Sequence, residues 1–166
     1  MDPHLVSLVK SSFDHVDSCE GGRSQFTHSF YAFLFAMRPD ARQLFSNIGD
    51  GENDRLITEF RHLVNRLHDG TSVIDDLREL GAYHHRFQLG APHFLAVGSA
   101  MICALVEFYG PDRWPDELDN AWRVVYSQMA SVMMRAVPDT IVQSATGTAR
   151  TGTIDLKPSQ SIRSWT

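Results

Sequence analysis

Cysteine is nearly absent. Cys19 and Cys103 are the whole complement in 166 residues, too few for a disulfide framework, so a reducing, cytoplasmic setting is expected. Basic charge is also in short supply: 15 Lys and Arg against 20 Asp and Glu leave a formal net charge of -5 with histidine neutral. That balance argues against nucleic acid or an anionic membrane surface as the main partner. No apolar run approaches the roughly 20 residues of a membrane span, so none is expected. The opening MDPHLVSLVK lacks a basic segment followed by a long apolar stretch, so no signal peptide is expected. The sequence has no GxxxxGK loop with Ser or Thr after it, no GxGxxG behind a strand, no CxxC, no HExxH and no GxSxG. Asp50-Gly51-Glu52 lacks the ligand spacing of a calcium loop. His84, His85 and His93 are the densest of eight histidines, but no cysteine or matching carboxylate stands near them to complete a zinc site. These absences leave a fold that scaffolds a bound cofactor, or an interaction module.

Apolar bulk is plentiful. Ten Phe, six Met, four Tyr and three Trp contribute to a chain that is 43% hydrophobic, enough for a sizeable core in one domain. Its spacing is helical nearly throughout. Leu5, Leu8, Val9, Ser12, Phe13 and Val16 share one face. A second helix is expected from about Arg23 to Met37, stopping at Arg38-Pro39, where the residue before proline is biased away from helix. A short turn or helix holds Ala41, Leu44 and Phe45, and residues 46–51 read as loop. Further helices are expected over about Glu52 to His68, from a cap at Thr71 or Ser72 through His84, over about His93 to Tyr109, and over about Glu117 to Val137. After Pro138 the pattern vanishes, and ten of the 28 residues from Asp139 to Thr166 are Ser or Thr. The expectation is an all-α domain of six to eight helices over residues 1–137, with a flexible Ser/Thr-rich tail over 138–166.

Within that frame, Tyr31 sits in FYAFLF and is followed by Pro39 and Phe45. Leu80-Gly81-Ala82-Tyr83-His84 reads LGxxH, and Val97-Gly98 follows. Asn120-Ala121-Trp122 comes next, with Tyr126 four residues past the tryptophan. In this order and spacing the set resembles the globin domain of flavohaemoglobins and of single-domain bacterial haemoglobins, over about residues 5 to 137. On residue pattern alone His84 suits either a satisfied core histidine or a ligand. It lies seven residues after Leu77 and four after Leu80, on the inward stripe, while His85 is turned about 100° away.

The resemblance implies a globin fold around haem b, with His84 as the proximal iron ligand and Phe45 packed on the haem face. It implies that the Tyr31 hydroxyl hydrogen-bonds a diatomic ligand, a bond worth about 1–3 kcal/mol, or roughly ten- to hundredfold in ligand release. It places the apolar Leu56 over the iron. Leu80, Val97, Met101, Trp122 and Tyr126 then become pocket wall or neighbouring core.

The departures matter for function. The family often carries a glutamine four residues before the apolar distal residue, where this chain has Glu52, with Asn53 and Arg55 as rivals if the register slips. Glu52 would repel a ligand carrying negative charge, or would simply start the helix facing solvent. The tyrosine and glutamate that flavohaemoglobins tie to the proximal histidine fall on Phe94 and Val137. Loss of such partners predicts a less electron-rich iron, and residues 139–166 cannot hold a flavin or nicotinamide. The resemblance therefore implies reversible oxygen or nitric oxide binding at a five-coordinate type of iron. A gas sensor acting through a partner, or a nitric oxide dioxygenase fed by an external reductase, are the alternatives. Related single-domain globins often pair through their last two long helices, so a homodimer is an expectation here too.

Overall fold

The computed structural model describes residues 1–44, 53–67 and 71–136. Among them are seven α-helices and no strand: α1 Pro3–Ser18, α2 Gly22–Met37, α3 Ala41–Leu44, α4 Asn53–Arg66, α5 Thr71–His85, α6 Ala91–Tyr109 and α7 Asp116–Arg135, with a 3-10 turn at Pro111–Arg113 before α7. The all-α expectation holds.

Local chemistry sets the ends. The Asp2 carboxylate accepts from the His4 amide at 2.8 Å and caps α1, with Pro3 just inside. Gly21 takes a left-handed φ of 71° to turn the chain into α2. Helix α6 starts two residues before the expected His93. Its first turn tolerates Pro92, and the Gly90 amide, which would otherwise lack a partner, donates to His93 Nδ1 at 3.2 Å. Acidic Asp116, Glu117 and Asp119 occupy the first turn of α7, where the helix dipole favours them. That helix closes at Arg135, short of the expected Val137, with the Ala136 amide bonded back to the Met133 carbonyl.

Helix α2 lies along α6 in the most extensive helix pair. The two are antiparallel: Gly22 abuts Phe108 at one end, and Arg38 reaches His93 at the other, 3.1 Å from its Nε2. Ala96, Ala100 and Ala104, spaced by four on α6, are buried and small enough for close approach of a neighbour. Helix α7 backs α1, α5 and α6. Its Trp122 is 1% exposed and wedged between Phe13 and Phe60, while its indole N–H donates to the Ser12 hydroxyl at 2.9 Å. Arg61 and Arg23 both bind Asp17, tying α4 and α2 to the end of α1.

One expectation needs correcting. Helix α6 is long and apolar enough to cross a membrane by length and composition, although no such run was expected. Its few polar residues interrupt the run without changing its overall character. Its apolarity is that of a core helix: Phe94, Ala96, Ala100, Met101, Ile102, Ala104 and Leu105 are all buried.

Candidate functional site

Helix α5 carries His84, and its own buried face fixes that position. Val73 and Leu77 are inside, and at Gly81 the helix comes so close to α7 that a Cβ would lie 2.2 Å from the Met133 carbonyl oxygen. Three residues on, His84 is partly buried on the same side while His85 stays exposed. The sidedness expected from the helical wheel is the one found.

The His84 imidazole sits in a largely apolar setting. Its edge meets the Phe94 ring at 5.6 Å and 70°, with Tyr83 on another side at 6.4 Å. Nδ1 is enclosed by protein and makes no hydrogen bond of full geometry. Burial lowers the pKa of the ring from its ordinary 6.5; the Leu80 carbonyl one turn back works against this, and His85 adds to it. The ring is therefore neutral at neutral pH, the form that ligates a metal. With Nδ1 enclosed, Nε2 is the nitrogen left for such a bond. A flat apolar cofactor with an iron centre, as the resemblance implies, asks for such a group.

Phe94 stands where a hydrogen-bonding tyrosine would be expected, and it does lie against His84. Its carbonyl accepts from the Tyr126 hydroxyl at 2.8 Å. The Tyr126 ring occupies the space left by Gly98, where a Cβ would lie 2.4 Å from Cε1. Burial raises the pKa of this hydroxyl far above its ordinary range, although the Gly98 amide pulls the other way.

Tyr31 lies on α2 at 8% exposure, between Phe30, edge-on at 5.1 Å, and Phe35, stacked at 5.5 Å. Burial pushes its hydroxyl up to about 12, so it remains a protonated donor. Helix α4 packs on both α2 and α5, the helices that carry Tyr31 and His84.

The other expected residues divide. Met101 is 2% exposed in the core, and Leu80 and Val97 pack partly buried against it. Trp122 is core: its ring meets Phe13 of α1 and Phe60 of α4, and its N–H donates to the Ser12 hydroxyl of α1. Phe45, Glu52 and Val137 lie outside the described residues, as do the side chains of Asn53, Arg55 and Leu56. In the sequence, Gly81 and Gly98 read only as motif letters, and Tyr126 as a motif letter and as pocket wall or neighbouring core. A glycine inside a strongly apolar helix, costing about 1 kcal/mol against alanine, was the available sign of a close approach.

Comparison with known proteins agrees with this arrangement. Helix order defines an all-α fold whose fifth helix carries a partly buried histidine. The globin family model matches residues 28–133, and the chain belongs to the globin family. It is similar to leghemoglobins of plants: 29% identical over 140 residues to that of Psophocarpus tetragonolobus, covering 78% of this chain and 93% of the relative. The leghemoglobin of Canavalia lineata is 30% identical over 145 residues, covering 79% and 92%, and leghemoglobin-1 of Lupinus luteus is 26% identical over 148 residues, covering 81% and 94%.

Proposed function

We propose that this chain is a haem-binding globin that reversibly holds a diatomic gas, oxygen or nitric oxide, with His84 as the residue that would ligate the iron and Tyr31 as the polar group beside the gas. Residues 1–137 form the haem-binding domain in this reading, and residues 138–166 a tail. The observation that carries it is the partly buried, neutral imidazole of His84, enclosed at Nδ1, in a chain of the globin family. Similarity to proteins named leghemoglobin supports it.

Haem iron, when bound, supplies the coordination position at which a gas is held. This chain's residues do the rest. His84 stays unprotonated and presents its ring nitrogen. Tyr31 keeps its proton and donates to a ligand that carries partial negative charge. Leu80, Val97 and Met101 supply apolar surface that keeps water out. The Phe94 ring beside His84 offers no acceptor to build negative charge on the imidazole, which favours gas holding over redox turnover. Oxidation of nitric oxide would need a separate reductase.

Absorption spectra of the ferric and ferrous-carbonyl protein test the reading. A Soret band that is lost or displaced in His84→Ala is the expected result. No Soret band after expression with haem supplied would overturn it.

A further inference from the structure

We infer that Tyr126 is a positioning residue for His84, acting through Phe94; this rests on the reading of His84 as the iron ligand. Nδ1 of His84 makes no hydrogen bond of full geometry. Rotation of the ring about its Cβ–Cγ bond is therefore bounded by the Leu80 carbonyl one turn back and by the side chains that pack on it. The wall that packs on it is the Phe94 ring, edge-on at 5.6 Å. Phe94 lies in the first turn of α6, where helix backbone is held least firmly by its own ladder.

Tyr126 fixes that turn from α7. Its hydroxyl donates to the Phe94 carbonyl at 2.8 Å, and its ring fills the notch at Gly98 one turn further along α6. Ring and hydroxyl together hold two successive turns of α6 at a set height against α7. Loss of the hydroxyl frees the Phe94 end while the Gly98 end stays seated. The Phe94 ring then moves, and the imidazole moves with it.

A second tyrosine provides the control. Tyr109 donates to the Ser12 carbonyl, also at 2.8 Å, between α6 and α1, with no ring contact to His84. Tyr109→Phe and Tyr126→Phe each delete one tyrosine–carbonyl bond, but only one of those bonds leads to the histidine.

The experiment is resonance Raman of the ferrous haem-loaded full-length protein, reading the iron–histidine stretching band, together with the rate of haem loss to an acceptor globin. Tyr126→Phe is expected to shift or broaden the band and to speed haem loss on the order of tenfold. Tyr109→Phe should lower the unfolding midpoint and leave the band in place. Phe94→Leu removes the wall directly, so it should reproduce the band change, and the double variant with Tyr126→Phe should add nothing to it. An unmoved band in Tyr126→Phe, with a stability loss like that of Tyr109→Phe, overturns the inference. If Tyr126→Phe does not fold, Phe94→Leu with an unmoved band overturns it equally. A parent protein without a His84-dependent band instead overturns the proposed function, so the two failures are told apart.

Discussion

Gly81 and Met133 touch backbone to backbone: a Cβ built on Gly81 would lie 2.2 Å from the Met133 carbonyl oxygen and 2.7 Å from its Cα. Neither atom belongs to a flexible side chain that could swing aside. Gly81→Ala must therefore push α5 off α7, at a cost of roughly 1–3 kcal/mol. A lower denaturation midpoint with an unchanged slope is expected. Because α5 carries His84, haem retention should fall as well. An unchanged midpoint would show that the two helices separate more easily than their packing implies.

Ser12 is a junction for three helices. Its hydroxyl donates to the Val9 carbonyl and accepts from Trp122, and its carbonyl accepts from Tyr109. Ser12→Ala strands the Trp122 indole N–H in a site 1% exposed, costing about 1–3 kcal/mol. Trp122→Phe in the same background removes the stranded donor. The double variant should then lose less than the sum of the singles in a denaturation cycle.

Tyr31→Phe removes the donor proposed to hold the gas. Oxygen release, followed by stopped flow, should speed up about tenfold or more, since each 1.4 kcal/mol is a factor of ten. The hydroxyl titrates only near 12, so release from the parent should be flat with pH through the range where an ordinary tyrosine, at 10.0, loses its proton. A step in that range would contradict the burial assigned to Tyr31.

His84 couples stability to pH with a definite sign. Its folded pKa lies below the ordinary 6.5, so just under that pH the unfolded chain binds more protons than the folded one. Stability therefore rises with pH through this window and is lost as pH falls below about 6.5, levelling off once the folded ring also protonates. Urea midpoints of the haem-free protein across the window, compared with those of His84→Gln, isolate the effect from the other histidines. The variant should have the flatter acid limb. Parallel limbs would mean that His84 is not desolvated.

Much of the fold was legible because burial writes itself into period 3.6. The stripe Val9, Phe13, Val16 and the pair Phe30 and Leu34 are buried as their spacing requires. Helix ends were less so, because capping depends on partners: α6 begins early through a His93–Gly90 bond that periodicity cannot show. Trp122 illustrates the larger limit. Its neighbours in sequence place it on an inward face, but the partner that claims its N–H, Ser12, is 110 residues away. Gly81 and Gly98 are legible as glycines, but the backbone and ring that need them belong to a different helix.

The contacts at Gly81 and Gly98 also carry an order in time. A nascent chain emerges from its N-terminus, and domains assemble as their parts become available. Helices α5 and α6 both present their notches to α7, which is made after them. His84 is synthesised some 50 residues before Met133, the backbone that seats its helix. The histidine therefore reaches its final setting only when translation has passed the end of α7, which makes this helix the step that completes the site.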